Sequence, residues 1–167
     1  HRMCGYAGFY LNHKSTSQVE MEKTITKMAN SLEHRGPDDL GIWLDSNKPI
    51  AFGHRRLSIV DISASGHQPM TSSNNKFVIA FNGEIYNHTQ LRKEIDSINS
   101  SLNWNGHSDT ETLLAGFEIW GIKKTLGKIV GMFSIALWER ESNTLHLIRD
   151  RFGEKPLYYG WINTGQE

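Results

Sequence analysis

The chain has 167 residues, in which 18 lysines and arginines balance 18 aspartates and glutamates. That length suits one domain with a real core, and a charge balance without a basic stripe argues against nucleic acid as a partner. The single cysteine excludes an intramolecular disulfide and fits a reducing, cytoplasmic setting; no apolar run nears the roughly 20 residues of a membrane span, and no signal segment opens the chain.

His1 and Arg2 precede the first methionine and read as an expression remnant. The expected layout is therefore residues 1–3 as remnant plus initiator, and residues 4–167 as one domain. Once Met3 is removed, Cys4 becomes the first residue and carries a thiol and a free α-amine together. The α-amine has a pKa of about 7.7–8.0, whereas a lysine amine at about 10.4 stays protonated at working pH. One residue can then be both nucleophile and general base. The plainer alternative is a small buried hydrophobe. With residues still attached ahead of it, Cys4 has an amide nitrogen and no such base.

Residues 6–11 read as a strand. Residues 19–32 place Met21, Ile25, Met28 and Leu32 at helical spacing, an amphipathic helix. His34-Arg35-Gly36-Pro37-Asp38 is a turn, because glycine and proline interrupt regular structure. Residues 41–44 and 50–54 are strand candidates split by a turn over 45–49. Residues 77–81 form a continuous apolar run, as in a strand covered on both faces. Asn87 or Thr89 can cap a short helix with Leu91 and Ile95 inward. Residues 96–105, rich in serine and asparagine, make the best candidate for a mobile loop. Ser108-Asp109-Thr110-Glu111 fits a capping box and opens a helix that Gly121 stops. A third helix near residues 123–129 precedes β-type runs at 132–138, 144–148 and 157–162. Strands, then helices, then strands again favour an α+β architecture over a doubly wound parallel sheet.

Several polar groups stand out of place. Phe81-Asn82-Gly83-Glu84 follows a buried strand directly. An asparagine amide beside a glycine N–H supplies the two donors an oxyanion hole needs; the competing reading is a simple Asn-Gly turn. Gly53 to Asp61 sets Arg55 and Arg56 in a β-type run, and an arginine fork suits a carboxylate; the alternative is a surface salt bridge of little worth. Asp109 suits a helix start through the dipole alone, but with Glu84 it could hold a substrate ammonium. The eight histidines show no metal-ligand spacing, so no metal is expected. No phosphate loop of the Gly-x-x-x-x-Gly-Lys type occurs.

Met3-Cys4-Gly5, His34 to Asp38, Gly53 to Asp61, Gln68-Pro69-Met70, Phe81 to Asn87 and Ser108 to Glu111 occur in an informative order. Gly131-Met132-Phe133 and the block from Arg149 to Tyr159 continue it. From Met3 onward the chain resembles the N-terminal glutaminase domain of glutamine-hydrolysing asparagine synthetase, a class II glutamine amidotransferase. The resemblance implies the N-terminal-nucleophile hydrolase fold: a four-layer αββα sandwich of two antiparallel sheets flanked by helices. It also implies hydrolysis of the L-glutamine side-chain amide to glutamate and ammonia. Cys4 would attack, Asn82 and Gly83 would hold the oxyanion, and Arg56 would bind the α-carboxylate. Glu84 and Asp109 would bind the α-amine, and the backbone of Leu57, Ser58, Ile59 and Val60 would line the pocket.

No cofactor is implied for this domain; ATP and magnesium belong to a synthetase domain normally in the same chain, whose Ser-Gly-Gly-x-Asp-Ser loop is absent here. A homodimer is the assembly implied for the longer enzyme. The nearest alternatives are a relative feeding ammonia to a sugar, phosphoribosyl or polysaccharide-precursor acceptor, and a glutamine-binding module without turnover when Cys4 is blocked. A thiol redox sensor fits poorly, because no second cysteine can resolve an oxidised Cys4.

Overall fold

The structure is a computed structural model and describes residues 4–12, 16–57 and 66–162. Two antiparallel sheets form its centre. The first has strands β1 (Gly5–Tyr10), β2 (Asp39–Leu44) and β3 (Ile50–Arg56) in the order β1-β3-β2. The second has β4 (Met70–Thr71), β5 (Phe77–Ile85), β6 (Gly131–Glu139) and β7 (Thr144–Arg149) in sequence order. Helix α1 (Gln18–Asn30) covers the first sheet. Helices α2 (His88–Ile98), α3 (Asp109–Trp120) and α4 (Ile122–Lys128) lie on the second.

The alternation of side chains along each strand builds the four layers. On β3, Ala51 packs with Met21 and Ile25 of α1, while Ile50 and Phe52 face the other sheet. On β5, Val78 and Ala80 meet them, joined by Ala136 and Trp138 of β6. The opposite face of the same strands, with Phe77, Ile79, Phe81, Phe133, Ile135 and Leu137, packs on Leu91, Leu113 and Phe117 of the helices. Full burial of a side chain such as Phe52 or Ile79 is worth about 1.5–3 kcal/mol. The architecture is thus the αββα sandwich expected from the sequence.

Local signals differ from the sequence reading in five places. Helix α1 opens with a complete capping box, Ser17 accepting from Glu20 N and Glu20 from Ser17 N, which the apolar spacing alone did not mark. At α3 only half of the expected box forms. Ser108 Oγ accepts from Glu111 N at 3.2 Å, but the Glu111 carboxylate turns to Asn105 N (2.6 Å) and Gly106 N (3.0 Å). Asn87 occupies the α2 cap position without a capping bond; its side chain instead joins Lys128 O and Val130 N, both at 2.9 Å.

Residues 157–162 are not a strand. Their large side chains are exposed, Tyr158 at 91% and Trp161 at 86%, and no described strand pairs with them. Strand propensity without a partner edge does not make a strand. The loop expected over 96–105 is helical as far as Ile98, and beyond it Trp104 is tied down. The Trp104 indole donates to Asp96 (2.8 Å) and its ring lies 3.9 Å from the Arg92 guanidinium carbon.

Candidate active site

Both sheets bring sequence-predicted residues to one end of the sandwich. Tyr6 of β1 lies beside Ser134 of β6, the cross-strand partner of Asn82. At the other end of β1, the Tyr10 ring meets that of Trp138, the partner of Val78, at 5.3 Å. The start of β1 therefore lies over the Asn82 end of β5. Cys4 immediately precedes β1 and is half-buried. Leu57 N donates to its sulfur at 3.4 Å, the thiol reaches Leu57 O at 4.0 Å, and Arg35 Nε donates to Cys4 O at 3.4 Å.

The two neighbouring arginines divide by strand alternation. Arg55 points to the α1 side, where its Nη2 donates to Asn30 Oδ1 at 2.5 Å. Arg56 shares the intersheet face with His54 and packs against Gly66. Arg56 is thus on the same face of its sheet as His54, and Arg55 is on the other. Ser58, Ile59 and Val60 lie outside the described residues.

Asn82-Gly83 is not a turn. It sits inside β5, paired with Ser134 and Phe133. Asn82 faces the first sheet by alternation and is buried, and its side-chain amide is bonded to no described residue. Gly83 must be glycine for packing alone, because a Cβ there would overlap Met132 O of β6. Its backbone orientation is more telling. In an antiparallel strand alternate residues direct N–H and C=O to opposite edges. Phe81 N donates to Gln68 Oε1 at 2.7 Å and Ile85 N donates to Asp109 Oδ2 at 2.9 Å, both on the edge away from β6. Gly83 lies between them on that edge, and no described residue accepts from its N–H. A row of three amides has its outer two occupied and its middle one open.

Asp109 is the first residue of α3 and half-buried. Burial raises its pKa; the Ile85 N–H, the nearby His88 and its own helix work against that rise, and the charge of Glu84 adds to it. Glu84 is exposed, on the Asn82 face of β5 by strand alternation, one residue before the Ile85 N–H that Asp109 accepts. Two acids beside an open face would favour a bound ammonium. His54, buried at 1% exposure, donates from Nε2 to Phe81 O at 3.0 Å, since a carbonyl can only accept. Burial drives its pKa down to about 4, against the pull of that carbonyl, so the ring is neutral. His54, Gln68 and Arg35 were invisible as site components in the sequence, whereas the Leu57 backbone was among the expected pocket residues. Arg35 and Gln68 stood in recognised blocks, but no spacing rule says which backbone atoms they meet. Among the described residues no group of three or more His, Cys, Asp or Glu side chains could hold a metal.

The structure superposes on glutamine phosphoribosylpyrophosphate amidotransferase of Bacillus subtilis with a TM-score of 0.67, over 97% of this chain and 40% of that one, at 21% identity. A family model described as a glutamine amidotransferase domain matches residues 3–166, so the chain belongs to that family. It is 38% identical over 161 residues to asparagine synthetase [glutamine-hydrolyzing] 1 of Bacillus subtilis, covering 96% of this chain and 24% of that protein. It is 37% identical over 164 residues to asparagine synthetase B of Escherichia coli, covering 98% and 28%. The chain thus spans about a quarter of the length of these relatives.

Proposed function

We propose that the domain hydrolyses the side-chain amide of glutamine and that Cys4, when first in its chain, is the nucleophile. The α-amine of Cys4 takes the thiol proton, directly or through water. The thiolate attacks the amide carbon, and the carbonyl electrons move to oxygen. The Asn82 amide and the Gly83 N–H receive that oxyanion. Collapse of the tetrahedral adduct breaks the C–N bond, the protonated amine returns its proton to the leaving nitrogen, and ammonia departs. Water, with the same amine as base, then cleaves the thioester and releases glutamate. Arg56 holds the α-carboxylate, Glu84 and Asp109 hold the α-amine, and the backbone of Leu57 lines the pocket beside Cys4. The observation that carries this reading is the open Gly83 N–H, flanked by two amides that Gln68 and Asp109 occupy.

The relatives named above are glutamine-hydrolysing asparagine synthetases. By extension, the ammonia made here passes to an ATP- and magnesium-dependent synthetase domain of the same chain, which makes asparagine and is assembled as a homodimer. A single unpaired cysteine used as a thiol nucleophile suits a reducing compartment, and the cytoplasm is the location proposed.

Trimming the chain to begin at Cys4 tests the chemistry. Glutamine turnover to ammonia, and labelling by a glutamine-mimicking electrophile, are expected only in the trimmed form and not in trimmed Cys4→Ala. Full activity with residues 1–3 still attached would remove the amine from the mechanism. Equal labelling of Cys4→Ala would remove the thiol.

A further inference from the structure

The donors proposed for the oxyanion belong to a stretch of β5 that, among the described residues, has no strand on the edge away from β6. β4 is two residues long and pairs only with Ile79 and Val78. Continuing its register, Pro69 would face Ala80 and Gln68 would face Phe81, but proline has no N–H to donate. The edge of β5 at Phe81 is satisfied by side chains instead. Gln68 Oε1 accepts the Phe81 N–H at 2.7 Å and His54 Nε2 donates to the Phe81 carbonyl at 3.0 Å. Both side chains are buried, at 7% and 1% exposure. The Phe81 carbonyl belongs to the peptide unit that carries the Asn82 N–H, so its rotation sets where the Asn82 side chain and the next N–H point. Gln68 Nε2 also donates to Thr110 Oγ1 at 3.4 Å, next to Asp109. One glutamine therefore touches both the oxyanion strand and the helix end that would hold the substrate amine.

We infer that Gln68 and His54 are positioning residues, a two-sided clamp on Phe81 that aims the Asn82 amide and the Gly83 N–H at the developing oxyanion. The inference rests on the glutaminase reading above. Neither side chain touches substrate in this scheme. Their loss should slow the chemical step and leave binding intact, because a small misplacement of preorganised donors acts on the transition state.

The test uses the chain trimmed to Cys4 with Gln68→Met, His54→Met and His54→Gln. Methionine approximates the volume without the hydrogen bond, and glutamine in place of histidine keeps an N–H of similar reach. Expected are a fall in kcat of about tenfold for each methionine variant with KM within about twofold of the parent, and near-parent kcat for His54→Gln. The inference is overturned if folded methionine variants keep their kcat, if KM rises in place of the kcat loss, or if His54→Gln is as slow as His54→Met. Should a methionine variant not fold, His54→Gln decides: kcat within about threefold of the parent sustains the clamp, and a tenfold loss overturns it. Absent turnover in the parent sinks the glutaminase reading instead. Amide hydrogen exchange at Gly83 then decides the clamp, faster exchange in the methionine variants sustaining it and unchanged exchange overturning it.

Discussion

The two sheets contribute to the site in different ways. Among the described residues, the first sheet presents Cys4 at the head of a strand, met by one N–H at 3.4 Å, a long thiol contact and one arginine on its carbonyl. The second presents Asn82 and Gly83 from the interior of a nine-residue strand, with the amides on either side pinned by Gln68 and Asp109 and a buried histidine on the carbonyl between. The same braced character extends to β6. Buried Asp150 accepts from the N–H groups of Phe133, Phe152, Glu154 and Lys155. Burial alone would raise its pKa, but the four donors hold it at about 2. The contrast has a chemical logic. A nucleophile must approach and leave the reacting carbon, so a lightly held strand end suits it. An oxyanion hole works by being in place beforehand, so its donors are fixed by the fold.

The largest effects should separate activity from stability on the two sides. Cys4→Ala in the trimmed chain should lower glutamine hydrolysis by about 10⁴-fold or more while changing unfolding free energy by less than about 0.5 kcal/mol. Asn82→Ala should lower kcat by about 10²–10³-fold, as for other side-chain oxyanion donors, with KM little changed. Steady-state ammonia release and chemical denaturation read both. A Cys4→Ala protein destabilised as much as a core variant would show that the first sheet is braced too, and the contrast would dissolve.

A pH series sharpens the contrast through His54. Its folded pKa, about 4, lies below the ordinary value of 6.5. The unfolded chain therefore binds a proton that the folded one rejects. The associated stability is present above pH 6.5 and is lost as pH falls towards 4, amounting to ~3 kcal/mol in all. Urea midpoints between pH 7 and 4.5 should fall accordingly. The part of that fall due to this ring should vanish in His54→Gln. An unchanged pH dependence in that variant would mean that the ring is not the buried neutral group this geometry requires.

How much of this was legible in the sequence follows from which forces are local. The strands around Ile50, Val78 and Ile135 and the face of α1 bearing Met21 and Ile25 are written in apolar period, and they formed as read. Cys4 drew attention by its position after Met3, Asn82, Glu84 and the Arg55–Arg56 pair by residue type, and Asp109 at a helix start; the choice of Arg56 over Arg55 came from the family resemblance alone. The clamp was not. Gln68 lies 13 residues from Phe81 and His54 lies 27 away, and only the packing of two sheets brings them to one peptide. The misread run at 157–162 fails for the same reason in reverse. Its residues carry strand propensity, but pairing is a long-range property that propensity does not supply.

The smallest effect expected probes what holds Asp109. Ser108 caps α3 through its bond to Glu111 N, while Asp109 is tied separately to Ile85 N. Removing the cap with Ser108→Ala should cost about 1 kcal/mol, a fall in Tm of roughly 2–4 °C for a chain of this size. The helix end itself should stay in place, because Arg92 still donates to Ser108 O and to Gly106 O. The KM for glutamine should then remain within about twofold of the parent, since the carboxylate position is set by β5 and not by the cap. Thermal unfolding and glutamine titration on the same preparation separate the two. A KM rise of tenfold with only the small stability loss would show that the cap, acting through the first turn of α3, aims Asp109. The bracing of the second sheet would then end at Gly83 and not reach the amine site.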